Sequence, residues 1–210
     1  MEQTAAAFEQ ALLRLDRMSA WQMIQVLTER LSPVKIIEEL IARALERIGE
    51  GWARGDLSLS QVYMSGKMCE EIVDTLLPPG NQQRQNQPRM AITVLEDYHL
   101  LGKRIVYSII RSSGFDLEDY GRTDVAGLLD RIRKDRIDLL FISVLMLPSA
   151  LRIKEVTARV HGENLNTRVI VGGALFLFDG RLWREVGASA MGRTASDALR
   201  FLEQIIEGKP

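Results

Sequence analysis

The sequence predicts a two-part protein: an N-terminal four-helix bundle followed by an α/β domain built on a five-stranded parallel sheet. Three observations carry that expectation. Residues 1–77 repeat apolar side chains at three- and four-residue spacing, as amphipathic helices require. Residues 78–89, PPGNQQRQNQPR, combine three prolines, a glycine and a run of amides, leaving nothing to bury, and read as a linker. From residue 90 onward, short apolar runs alternate with helical stretches, the pattern of a parallel sheet with helices on both faces.

In the helical part, Phe8, Leu12 and Leu15, then Trp21, Ile24, Leu27 and Leu31, mark the buried stripes of the first helices. Ser32-Pro33 places a capping hydroxyl before a proline at the first helical position, where the missing N–H costs nothing. Ser58-Leu59-Ser60-Gln61 has the spacing of a capping box and opens a helix to about Leu77. Beyond the linker, the strand runs are MAITVL (90–95), FDLEDYG (115–121), DLLFIS (138–143), RVIVGG (168–173) and ASAMG (188–192). A turn-rich stretch is expected between the last two. For five such strands the common doubly wound, Rossmann-like (flavodoxin-like) order is 2-1-3-4-5. In that order ligands bind outside the carboxyl ends of the strands, where the chain switches direction between strands 1 and 3.

Composition narrows the function classes. With 27 basic and 28 acidic residues the net charge is −1, so no nucleic-acid footprint is expected. The single cysteine, Cys69, excludes an intramolecular disulfide framework and a cysteine-rich zinc or iron–sulfur site. The start, MEQTAAAFEQALLRLDR, lacks the basic and apolar regions of a signal peptide, and no apolar run approaches the roughly 20 residues that span a bilayer. The expectation is a cytoplasmic protein without membrane or nucleic-acid partners.

The loops at the switch point hold the chemistry. Glu96 to Leu101 leaves strand 1, Ser143-Val144-Leu145 leaves strand 3, Gly172-Gly173 leaves strand 4 and Met191-Gly192-Arg193 leaves strand 5. Alone, His99 reads as a solvated or hydrogen-bonded loop histidine. With Asp97 two residues earlier, a second reading opens: a carboxylate accepting the proton of one ring nitrogen fixes the tautomer and raises the basicity of the other as a metal ligand. Gly102 then lets something bulky approach the backbone. His161 lacks a comparable partner and reads as surface. Ser143 lacks the glycines of a nucleophile elbow, and no Walker loop is present. Gly172-Gly173 reads either as a tight turn or as a slot for a flat ring. One histidine with one carboxylate suits a single axial ligand to a metal whose other positions come from a macrocycle.

Taken together, Asp97-x-His99-x-x-Gly102, Ser143-x-Leu145 and Gly172-Gly173 resemble the signature of base-off, His-on cobalamin-binding domains. Residues 46–78, ERIGEGWARGDLSLSQVYMSGKMCEEIVDTLLP, resemble the helical cap of methyl-carrying corrinoid proteins and of methionine synthase. The resemblance implies that His99 ligates cobalt and Asp97 holds it. It implies that Gly102 admits the nucleotide tail, Ser143 bonds the tail's base, and Leu145, Gly172 and Gly173 line the slot, with Met191 and Gly192 on the neighbouring loop. Val62, Tyr63, Met64 and Met68 are candidates for covering the opposite face of the corrin. Leu100 stands where many such carriers have an acid. The function implied is a corrinoid methyl carrier. Its partners would be a substrate-specific methyltransferase (an O-demethylase, methylamine or methanol system), an acceptor methyltransferase acting on tetrahydrofolate, and a reductive activating protein. A cobalamin-dependent sensor is the alternative. It is disfavoured because Val62-Tyr63 stands where light sensors carry a Glu-His pair, and because no DNA-binding extension is present. The small subunit of an adenosylcobalamin mutase is disfavoured by the attached helical module.

Overall fold

The computed structural model describes residues 2–77 and 87–206. The chain divides into two compact units, Met1–Pro78 and Pro79–Pro210. Of the expected linker, residues 78–86 lie outside the described residues, and 87–89 have no regular secondary structure.

The first unit is helical. Helix α1 spans Glu2–Leu13 and α2 spans Arg17–Thr28, started by the Asp16 carboxylate accepting from the Ser19 amide. A third helix begins as α3 (Pro33–Ile36), passes through a π-helical turn (Ile37–Ile41) and continues as α4 (Ala42–Ala53). Helix α5 spans Leu59–Leu76, and its start is the expected reciprocal capping box between Ser58 and Gln61. Ser32 and Pro33 likewise begin α3 as expected. Helix α1 packs on α2, α4 and α5, and the buried side chains include Phe8, Leu12, Ile24, Leu40, Ile48 and Ile72. Leu15 departs from the expected stripe. The chain leaves α1 after Leu13, and Leu15 takes a left-handed backbone (φ 57°) and stays exposed, because the reversal into α2 ends the helix first.

The second unit is a five-stranded, wholly parallel sheet in the order β2-β1-β3-β4-β5. Its strands are β1 (Met90–Leu95), β2 (Glu118–Thr123), β3 (Leu139–Ser143), β4 (Arg168–Gly172) and β5 (Ala190–Gly192). The crossovers are α6 (Leu101–Ser112), α7 (Val125–Asp135), α8 (Leu147–Gly162), and the short α9 (Ala174–Phe178) and α10 (Leu182–Glu185), with α11 (Ala195–Ile206) closing the unit. Strand residues alternate between two cores. Ala91, Leu95, Leu140, Ile142, Val169 and Val171 pack with α7 and α8 residues such as Leu128 and Ile153. Met90, Ile92, Leu139, Phe141 and Ile170 pack with α6 and α11 residues such as Ile110 and Leu202. Helices therefore cover both faces, and the continuous apolar runs of β1 and β3 follow from burial on both sides.

Two expectations are corrected. The turn-rich stretch after β4 carries α9 and α10, because Phe176, Leu182 and Val186 must be turned into the core beside α8. Strand β2 begins at Glu118, three residues later than the run that signalled it, since Phe115 and Leu117 serve the core ahead of the strand. No helix among the described residues is long and apolar enough to cross a membrane.

Candidate functional site

Parallel pairing brings the ends of four strands into one row. Val94 of β1 stands opposite Ser143 of β3, Ser143 opposite Gly172 of β4, and Gly172 opposite Gly192 of β5. The loops holding the sequence candidates all leave from this row, at the C-terminal edge of the sheet and across the β1/β3 switch.

Asp97 is the anchor. It is 2% exposed, and its two carboxylate oxygens divide their work between two loops. Oδ1 accepts from the Tyr98 amide (2.7 Å) and the His99 amide (3.1 Å), and sits 2.6 Å from His99 Nδ1. Oδ2 accepts from the amides of Leu145 (2.8 Å) and Met146 (3.1 Å) in the loop after β3. Burial by itself would raise this carboxyl's pKa. The bonds from the His99 ring and from the Leu145, His99 and Met146 amides outweigh it and hold the group well below the ordinary carboxylate range. A charged, saturated carboxylate next to Nδ1 makes that nitrogen the protonated one in the neutral ring and leaves Nε2 as the lone-pair nitrogen. The same bond raises the His99 pKa, partly offset by burial. The His99 side chain is 42% exposed, so Nε2 belongs to an accessible imidazole.

Among the described residues, no group of three or more histidine, cysteine or carboxylate side chains could hold a metal ion. A metal at Nε2 would therefore take its other ligands from elsewhere, which is the chemistry of a macrocycle-bound metal. The surroundings fit such a group. A Cβ on Gly102 would lie 2.7 Å from Ser143 Oγ, so the missing side chain keeps the first turn of α6 open beside that hydroxyl. Ser143 is buried at the end of β3, beside that opening. Gly173 has φ 119°, and a Cβ there would meet the Val144 carbonyl oxygen at 1.9 Å, so only glycine lets the loops after β3 and β4 approach this closely.

Residues 89–202 match the B12 binding domain family, and residues 4–77 match a second family with the same description. The chain belongs to the B12-binding domain family. Curated relatives include dimethylamine corrinoid protein 2 of Methanosarcina acetivorans, 27% identical over 86% of this chain and 86% of that protein. Dimethylamine corrinoid protein 1 of Methanosarcina mazei is 23% identical over 99% and 98%. The structure of the monomethylamine corrinoid protein of Methanosarcina barkeri superposes with a TM-score of 0.81 at 22% identity, covering 95% of this chain and 96% of that one. The fold of the B12-binding domain and of the helical unit is thus shared across nearly the whole chain.

Not every candidate stands in the Asp97 cluster. Leu145 contributes its amide to Asp97, while its side chain remains 36% exposed. Met191 is half-buried on β5 and packs against the α7/α8 core, and Gly192 ends the strand row. In the helical unit Met64 and Val62 are half-buried on α5, Tyr63 is exposed and Met68 is buried. His161 is exposed in the last turn of α8, as expected. Sequence reasoning missed the Met146 amide on Asp97, whose signal was the proline that fixes the start of α8 one residue after Leu147. It also missed Lys103, buried next to Gly102 and ion-paired with Asp119 of β2, which ties the first turn of α6 to the sheet edge. The guanidinium of Arg122 lies 4.1 Å from the ring centroid of exposed Tyr98, steadying the same loop from β2.

Proposed function

We propose that this protein is a corrinoid methyl carrier. His99 Nε2 would be the residue that ligates the cobalt in place of the nucleotide's own base, and the B12-binding domain would hold the displaced tail. The observation that carries this reading is the Asp97–His99 pair: a ring fixed through Nδ1 by a buried, ionised carboxylate, with Nε2 as the donor and, among the described residues, no group of three or more metal-binding side chains. When bound, the cobalt of the corrinoid supplies a centre that accepts and releases a methyl group. The residues of this chain bind and orient it. Asp97 stays ionised, locks the imidazole tautomer and ties the ligand loop to the β3–α8 loop. Gly102, Ser143, Leu145, Gly172 and Gly173 form the slot for the tail, and Met191 and Gly192 extend it along β5. Met64, with Val62, Tyr63 and Met68 on α5, would be the helical unit's candidates for contact with a bound corrin.

The relatives named for dimethylamine corrinoid proteins, and a structural likeness (TM-score 0.55) to a chain of the methanol:cobalamin methyltransferase complex of Methanosarcina barkeri, support a place in such a system. One partner is a substrate-specific methyltransferase acting on a methylamine, methanol or an aryl methyl ether, the last being O-demethylation. The further partners would be a second methyltransferase acting on tetrahydrofolate or another acceptor and a reductive activating protein, in a cytoplasmic system.

The test is reconstitution with cobalamin followed by gel filtration, then reduction and exposure to each class of methyl donor with its methyltransferase. The wild type should keep a corrinoid absorption spectrum and gain a labelled methyl group only when a methyltransferase is present. His99→Ala should lose both at least about tenfold. A wild-type protein that elutes without corrinoid, or that gains no methyl group from any donor class, overturns the reading.

A further inference from the structure

Glu96, the residue between β1 and Asp97, has a left-handed backbone with φ 49°. Among the described residues, the other non-glycine positions with positive φ are Leu15, Arg136 and Asn164. Each of those follows or caps the end of a helix, where a left-handed residue is an ordinary way to terminate. Glu96 instead leaves a buried strand for the site loop. A non-glycine residue in that conformation persists only where its surroundings hold it there.

Three contacts from two elements do so. The Glu96 amide donates to the Thr123 carbonyl at the end of β2 (2.9 Å). The Glu96 carbonyl accepts from Ser149 Oγ on α8 (3.1 Å), and its carboxylate pairs with Arg152 Nε one turn further along (3.3 Å). The β2 contact depends on a local irregularity. The β1–β2 register slips between Ile92 and Val94, with Gly121 of β2 at φ 66° and Thr93 Oγ1 bonded to the Gly121 carbonyl and to Thr123 Oγ1. A bulge of this kind re-aims the strand end, and here it brings Thr123 level with Leu95 and in reach of Glu96.

The geometry points to Glu96 as a positioning residue for the His99 imidazole. The left-handed turn swings the next residue out of the strand direction. Asp97 can then reach the Leu145 and Met146 amides with one oxygen and His99 Nδ1 with the other. An extended backbone at residue 96 would carry Asp97 onward along β1 and part it from one of those two sets. The bonds of Glu96 run to Thr123, Ser149 and Arg152, and it acts through Asp97. The inference rests on Asp97–His99 being the ligand pair, but its consequence is a property of the protein alone: which ring nitrogen of His99 carries the proton.

The test uses cobalamin-free protein labelled with 15N at histidine, in a His161→Gln background, at a pH where the ring is neutral. Long-range 1H–15N correlations identify the protonated nitrogen. The wild type should be protonated at Nδ1. Glu96→Gly, which keeps the left-handed backbone while losing the carboxylate, should also show Nδ1–H. Glu96→Val, whose branched Cβ opposes positive φ, should shift the majority to Nε2–H. A folded Glu96→Val protein that keeps Nδ1–H overturns the inference, as does a Glu96→Gly protein that loses it. If Glu96→Val does not fold, the Ser149→Ala/Arg152→Ala pair decides. A fall in Nδ1–H supports the role, and an unchanged population overturns it. Failure of cobalamin binding with the tautomer pattern intact would instead count against the ligand assignment.

Discussion

At the scale of the residue, the site is a single carboxylate used to capacity. Asp97 answers the question raised by Leu100, which stands where an acid would be expected. Its partners are four backbone amides and the His99 ring, so the Asp97–His99 pair is tuned by burial and amide bonds rather than by a side-chain relay through residue 100. The pair makes the stability of the cobalamin-free protein depend on pH with a defined sign. Folding raises the proton affinity of His99 above its ordinary value of 6.5, so that contribution is fully present below this value and is lost as pH rises through the folded pKa. Folding lowers the Asp97 pKa below its ordinary 3.8, so its contribution is present above 3.8 and lost as pH falls through the folded pKa. Both operate between 3.8 and 6.5. The stability difference between wild type and His99→Ala, from urea unfolding, should therefore be larger at pH about 5 than at pH about 9. A difference that is flat or grows with pH contradicts the pairing. The Asp97-x-His99 spacing made this pair legible in the sequence, because a two-residue separation in a loop lets both groups meet. The amide partners and the backbone of Glu96 were not legible. A main-chain N–H carries no residue signature, and a glutamate gives no sign of positive φ.

At the scale of the element, the two glycines after β4 do different work. Gly173 combines φ 119° with a Cβ that would overlap the Val144 carbonyl, whereas a Cβ on Gly172 would meet its nearest neighbour, the Gly192 carbonyl, at an ordinary 3.5 Å. Gly173→Ala should destabilise the protein by at least about 3 kcal/mol. Gly172→Ala should change stability by no more than about 1 kcal/mol. Cobalamin retention by Gly172→Ala then reports on the slot without the confusion of unfolding, and it should fall. Denaturant unfolding with retention on a sizing column checks both. The pair read equally as turn or slot in the sequence because glycine identity reveals permission and not use; the residue opposite each glycine decides. The strand–helix alternation was legible through continuous apolar runs such as MAITVL and DLLFIS, which only a doubly covered sheet can bury. Helices α9 and α10 were not, since ALFLFDGRLWRE has too few turns to show a period.

At the scale of the molecule, two compact units divide the chain, and both match families of B12-binding domains. The B12-binding unit gathers its functional loops at one sheet edge because parallel strands all end there. The register from Val94 through Ser143 and Gly172 to Gly192 makes that edge a continuous row. The central claim is that one imidazole nitrogen of this chain replaces the nucleotide base beneath cobalt. It is tested most directly by electron paramagnetic resonance of the protein reconstituted with cobalamin and reduced to cobalt(II), prepared with natural-abundance and with 15N-labelled histidine. The account predicts that labelling converts the nitrogen superhyperfine pattern from a triplet to a doublet, and that His99→Ala abolishes the change. A triplet that survives histidine labelling would mean that the corrinoid keeps its own base, and would contradict the account.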